Sequence, residues 1–184
     1  MSQLSTFPEV VDEKTLSKAV NCLREVGVSL PTLSQLANPA TIPERQLDAL
    51  AVAKTGELDP AALWRVHWFN NAAGTGLTDV PGYLVMPEAL TGVKAKIIVA
   101  LGNRFPLIGA HKVLAAYGCL VPRLVTGRFD PSIHKAVWPS TGNYCRGGVA
   151  ISRIIGCRSI AVLPAGMSQE RFDWLERWVS HPED

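Results

Sequence analysis

From residue 96 onward short apolar runs alternate with amphipathic stretches, three times over, and this order restricts the fold more than any other feature of the chain. The pattern predicts strands at 96–101, 135–138 and 159–163 and helices at 112–117, 146–155 and 168–179. Strands separated by helices are joined by right-handed crossovers, so they are expected to lie parallel in one small sheet flanked by helices, a three-layer α/β arrangement. Ligands in such sheets bind beyond the carboxyl ends of the strands. Lys112 follows the first of these ends, and Ser140, Thr141, Gly142 and Asn143 follow the second. The third end, Pro164-Ala165-Gly166-Met167, carries fewer functional groups.

The first third reads as helical. Residues 12–26 place Leu16, Ala19, Val20 and Leu23 on one stripe, with Asp12 as the expected N-cap and Gly27 in the usual stop position. Thr41-Ile42-Pro43-Glu44 predicts a capping box opening a second helix to about residue 54. Asp59-Pro60 predicts a third, through Trp64 and toward Trp68. Residues 70–82, rich in Asn, Gly and Thr, read as a connecting loop. The expected organisation is therefore a helical amino-terminal extension and linker over residues 1–85 and a parallel α/β subdomain over residues 86–184.

Composition excludes several classes of partner. With 47% hydrophobic residues in 184 the chain has enough apolar content for a core. A net charge of +2 without a dense Lys/Arg run gives no footprint for nucleic acid or an anionic membrane. No run approaches the ~20 apolar residues of a bilayer span, and Met1-Ser2-Gln3-Leu4-Ser5 does not open a signal peptide, so a cytoplasmic setting is expected. Cys22, Cys119, Cys145 and Cys157 show neither C-x-x-C spacing nor disulfide-scaffold density, and no metal site is expected. The spacing from Gly102 to Lys112 is not a P-loop, and Gly142, Gly147 and Gly148 do not form a dinucleotide fingerprint. Tryptophans at helical positions such as Trp174 and Trp178 read as packing surfaces for another domain or subunit.

The two decorated strand ends suggest complementary chemistry. A strand-to-helix turn of small polar residues presents backbone amides to an anion, so the turn at 140–143 suits a substrate carboxylate. Lys112, near the start of a helix, sits where the dipole and desolvation both disfavour an ammonium and favour a nucleophilic amine. An amine so placed is suited to Schiff-base formation.

Residues 96–112 with Gly109-Ala110-His111-Lys112, the Ser140-Thr141-Gly142-Asn143 loop and the βα unit at 157–178 resemble the tryptophan synthase β and cysteine synthase group, the fold type II pyridoxal-phosphate enzymes. The His-Lys pair is closer to the tryptophan synthase β variant. The resemblance implies that Lys112 holds pyridoxal 5'-phosphate as an internal aldimine and that Asn143 hydrogen-bonds the cofactor's ring hydroxyl oxygen. It implies that Ser140, Thr141 and Gly142, with Asn143, grip the carboxylate of an amino-acid substrate. It further implies β-elimination or β-replacement chemistry and a homodimer in the complete enzyme. Members of the group are longer, and their phosphate-cradling Gly-rich loop and the Ser or Thr facing the pyridine nitrogen lie downstream of the matched region. The chain is thus expected to be an amino-terminal portion of a longer enzyme or a piece of a split one, inactive by itself.

Other readings stand beside this one. His111 either tunes the lysine or cofactor or is a packed histidine. Arg104 either meets an anion or pairs and faces solvent. Cys145 at a helix start, with His134 as a conceivable base, suggests a thiol nucleophile, against the alternative of an inert buried cysteine. A different class altogether is a non-catalytic anion-binding or assembly subunit of a split enzyme.

Overall fold

The computed structural model describes residues 9–52 and 58–179. In chain order it contains α1 (Glu13–Glu25), α2 (Leu33–Ala37), α3 (Glu44–Val52), β1 (Tyr83–Met86), α4 (Glu88–Thr91), β2 (Ile97–Ala100), α5 (Pro106–Gly109), α6 (Lys112–Val125), β3 (Ala136–Pro139), α7 (Asn143–Ile155), β4 (Ser159–Val162) and α8 (Gln169–Trp178). Short 3-10 turns occupy Pro39–Thr41, Pro60–Arg65 and Gly102–Arg104. The chain is mixed α/β with two small sheets, one of them parallel. No helix among the described residues is long and apolar enough to cross a membrane.

The chain divides into two compact units, and the division does not follow a boundary near residue 85. Described residues up to 30 join those from 112 onward, and the described residues between 31 and 111 form the other unit. The cut falls between His111 and Lys112. Local composition does not register it, because α1 joins the later half through packing on α6, a contact remote in sequence.

In the first unit, α7 packs on α6 and lies over the parallel pair β3 and β4, whose register sets Ala136 opposite Ser159 and Pro139 opposite Val162. Glycines make these approaches possible. A Cβ on Gly147 would stand 3.0 Å from Cα of Val113 in α6, and one on Gly148 would collide with the indole of Trp138 in β3. Trp138 is buried and donates from Nε1 to Ser152 Oγ at 3.1 Å, so β3 and α7 are joined by a ring packed on glycine and a hydrogen bond.

Asp12 caps α1 as its sequence predicts, accepting from the backbone amides of Lys14 (2.9 Å) and Thr15 (3.1 Å), and Gly27 takes the left-handed conformation (φ 68°) beyond its end. Lys18 then reaches Asp130, which follows α6, at 2.6 Å. Asp130 is buried, and its carboxylate also accepts from the Ser132 hydroxyl (2.5 Å) and backbone amide (2.9 Å). Hydrogen bonds from Lys18 and Ser132 hold its carboxyl down at about 2. A depressed folded-state value stabilises the native state fully above the unfolded carboxyl's ~3.9, and this contribution is lost as pH falls toward 2. Asp130→Asn is accordingly expected to unfold at lower urea than the unmodified chain at pH 7, with the gap closing between about pH 4 and pH 2. A pH-independent gap in urea titrations would reject the ion-pair explanation.

The second unit departs further from expectation. Among its described residues β2 pairs antiparallel with β1, with Tyr83 opposite Ala100 and Met86 opposite Ile97, and does not join the parallel sheet. Residues 87–96 supply only the single turn of α4, short of the dozen or more residues that a parallel crossover needs. The parallel sheet therefore has two strands among the described residues. Helix α7 covers one of its faces, whereas Val137 and Val162 on the other are exposed.

A capping box does form in this unit, but at Thr32 and Gln35 at the start of α2, where each residue's side chain accepts from the other's backbone amide. At the expected position the Thr41 hydroxyl instead donates to the Asn38 carbonyl (2.7 Å). The helix begun at Glu44 is described to Val52, so its expected end at residue 54 lies outside the described residues. The third expected helix is a 3-10 turn capped by Asp59 and stopping at Arg65. Ile42, Leu50 and Trp64 form a core cluster with Leu47 packed against it. The β1–β2 hairpin is different: Tyr83, Leu84, Val85, Ile98 and Val99 are all exposed.

Candidate functional site

Helix α7 starts directly from the Ser140-Thr141-Gly142-Asn143 loop. Gly142 is its N-cap, and among the described residues no side chain caps its first amides, which leaves the positive end of a three-turn helix open. The Ser140 hydroxyl accepts from the Gly142 amide (3.3 Å), turning the loop back on itself. Nothing lies within 4 Å of where a Cβ on Gly142 would stand, so the backbone there is approachable. Thr141 and Asn143 are exposed and Ser140 and Gly142 half-buried.

Two arginines flank this loop. Arg171 in α8 donates to the Thr141 carbonyl (2.9 Å) and pins the turn. Arg146 donates to Asn143 Oδ1 (3.4 Å) while its guanidinium lies 4.3 Å above the ring of Trp174. That contact orients the Asn143 amide with its NH2 group directed to donate elsewhere. Burial lowers the pKa of Arg146, with Glu170 and Arg171 as opposing charge neighbours, and its Nε has no hydrogen-bond partner among the described residues. Neither arginine was singled out from sequence. Arg146 had a local signal, falling one turn after Asn143, whereas Arg171 is brought in only by tertiary packing of α8 on α7.

Lys112 is the first residue of α6 and is exposed, in place of the desolvated setting expected for it. It has no hydrogen-bond or ion-pair partner among the described residues. Its carbonyl oxygen lies 3.3 Å from where a Cβ on Gly147 would stand. Asn143 and Gly147 are one turn apart on the same face of α7, ~6 Å along the helix. The lysine's backbone is therefore brought to the side of α7, one turn in from the loop. A lysine side chain is about as long as that separation.

His111 belongs to the other unit. Its ring stacks on Trp68 at 5.4 Å and 24°, and a Cβ on Gly102 would stand 2.8 Å from its Nδ1, yet the residue is exposed, so it lies on an aromatic ring at the surface and is not packed in a core. The same segment contains Leu107, buried with φ 68° and ψ −66°, a conformation costing about 1–3 kcal/mol for a non-glycine residue. Arg104 lies across Gly82 and has no ion pair among the described residues.

The thiol reading is disfavoured. Cys145 is fully buried, and burial pushes its thiol up to about 11, the reverse of an activated nucleophile. His134 is spent on the loop after α6, where its Nδ1 accepts from the Asp130 amide (2.9 Å). Cys145 and Cys157, also raised to about 11 by burial, are expected to resist iodoacetamide at pH 8 in the folded chain and react once it is unfolded in urea. Mass spectrometry showing fast labelling of Cys145 in the native chain would restore the thiol hypothesis.

A cavity of about 320 Å³ opens between α6 and β3 beside Tyr144, lined in part by Cys119, Arg123 and Trp138. It reaches neither Lys112 nor residues 140–143. The Tyr144 hydroxyl donates to Cys119 Sγ (3.2 Å), and this bond, with burial, pushes its pKa up to about 12.

Comparison of the chain with protein-family models, with curated proteins and with solved structures finds no match.

Proposed function

We propose that this chain is part of a pyridoxal-phosphate-dependent enzyme that acts on an amino acid by β-elimination or β-replacement, with Lys112 as the cofactor-holding residue. The observation that supports the reading is the packing of the start of α6 against Gly147, one turn from Asn143, which brings the Lys112 backbone to the side of α7. The donor set fits the group. Among the described residues the exposed amine is unpaired, the Asn143 NH2 group has no acceptor and is available to a ring hydroxyl, and the helix end has no side-chain cap and offers amides to a carboxylate.

When bound, the cofactor supplies an aldehyde that condenses with amines and a ring that draws electrons from the substrate's Cα. The protein's residues do the rest. The Lys112 amine would hold the cofactor and, when free, would take the proton from Cα as general base. Ser140, Thr141 and Gly142 hold the substrate carboxylate, aided by Arg146 and Arg171, and Asn143 fixes the ring. His111, stacked on Trp68, has a positioning role at most. The phosphate cradle, the partner of the pyridine nitrogen and the subunit contacts of a homodimer are assigned to the rest of the complete enzyme. In the same reading β3 and β4 are strands of the small three-layer domain of fold type II, whose open face the remainder covers.

The exposure of Lys112 favours the second reading, an anion-binding or assembly subunit without catalysis of its own, in which α7 and the two arginines bind and the lysine is solvated. Addition of pyridoxal phosphate, reduction with borohydride and peptide mapping separates the two. Label concentrated on Lys112 supports the enzyme. Label spread over Lys14, Lys18, Lys94 and Lys96 as heavily as over Lys112, in this chain and in a longer one, rejects it.

A further inference from the structure

The unit spanning residues 31–111 contains a buried cation with no counter-charge among the described residues. Arg65 is 4% exposed; its Nε donates to Asn70 Oδ1 (3.2 Å), and its Nη2 has no hydrogen-bond partner among the described residues. Asn70 is itself held, donating to the carbonyls of Arg65 (2.9 Å) and His67 (2.8 Å), so the guanidinium is fixed in place. Beside it His67 is fully buried; its Nδ1 accepts from the Phe69 amide (3.1 Å), which puts the proton on Nε2, also without a partner among the described residues. Burial and the Arg65 charge hold this imidazole at about 4, and burial lowers the Arg65 pKa. A buried guanidinium with an unsatisfied donor is destabilising, and proteins pair such groups.

Arg65 lines a cavity of about 190 Å³. Leu47, Leu50 and Leu77 give it apolar walls, and Asn70 and Thr75 join Arg65 as polar lining. We propose that this cavity binds a small aliphatic monocarboxylate, with the carboxylate on Arg65 and the hydrocarbon against the leucines. Arginine's planar fork suits a carboxylate. Among the described residues no acidic side chain lines the cavity, so an ammonium group finds no partner among them, and the ligand class is a carboxylic acid without an amine. At ~30 Å³ per displaced water the space suits an acid of roughly four to six carbons. The site is independent of the role assigned to Lys112.

The test is a calorimetric titration of the whole purified chain with butanoate and with 4-methylpentanoate, alongside 4-methylpentanamide, of the same shape but neutral, and leucine, which adds the amine. Saturable 1:1 binding of a carboxylate, with the amide and leucine each weaker by about tenfold or more, is expected. Arg65→Met is expected to weaken the carboxylate by a similar factor. Should that variant fail to fold, the unmodified chain still decides through the Asn70 side-chain amide resonance, which must shift with carboxylate and not with amide. No saturation by either acid, equal binding of the amide, or an Asn70 resonance that stays fixed while heat is released overturns the proposal.

Discussion

Lys112→Ala is expected to abolish the visible absorption that pyridoxal phosphate gives on addition to the chain, together with the borohydride-trapped lysine label, and to lower turnover of the complete enzyme by about 10²–10⁴-fold or more. The residue is exposed and has no side-chain partner among the described residues, so its truncation belongs with surface substitutions that change stability by only about ±0.5 kcal/mol. A loss of label therefore cannot be ascribed to unfolding, and a matching urea midpoint for the two chains provides the control. Lys112→Arg sharpens the result, because it keeps the charge and the helix position but cannot form the imine. If Lys112→Ala retains the absorption and the label moves to no other single lysine, the cofactor assignment fails. The anion-binding reading then takes its place.

The second large effect is structural. Gly148→Ala places a methyl group within the envelope of the Trp138 indole, which cannot swing away without leaving its buried slot and its bond to Ser152. Overpacking of this kind costs about 1–3 kcal/mol and occasionally more. Glycine to alanine in a helix recovers up to ~1 kcal/mol of propensity, so the net loss expected for alanine is about 1–2 kcal/mol. Gly148→Val, which adds bulk and gains less propensity, is expected to exceed 3 kcal/mol. Urea midpoints read both. Because α7 begins at the Ser140–Asn143 loop, a shift of the helix away from β3 also moves Asn143 and Arg146. An unchanged midpoint for Gly148→Val would mean that α7 does not seat on Trp138 as described.

The parts legible in the sequence share one property, that neighbours along the chain determine them. Asp12 and Gly27 bracket α1 because a cap acts within three residues, and the turn before α7 follows from Ser140, Thr141 and Gly142 lying between an apolar run and an amphipathic one. The strand at β2 was legible too, but not its partner. Tyr83-Leu84-Val85-Met86 lies just beyond a stretch rich in turn residues, and nothing local announces that it pairs with Ile97–Ala100. Thr41 and Glu44 have the spacing of a capping box, yet the 3-10 turn before them draws the threonine hydroxyl back to Asn38. At the candidate site, Lys112 and Asn143 stood out by type and position. Their proximity depends on Gly147, a residue with no side chain to suggest it, and Arg171 comes from a helix whose docking is purely tertiary.

The hairpin of β1 and β2 has a physical meaning beyond its place in the fold. Side chains of alternate residues point to opposite faces, so exposed Leu84 beside exposed Tyr83 and Val85, across from exposed Ile98 and Val99, leaves both faces oily and, among the described residues, both outer edges unpaired. Such a ribbon is a ready template for strand addition, and its β-branched and aromatic residues lie in runs free of charge. Residues 83–86 and 97–100 thus form an adhesive surface on which a native covering and self-association would compete.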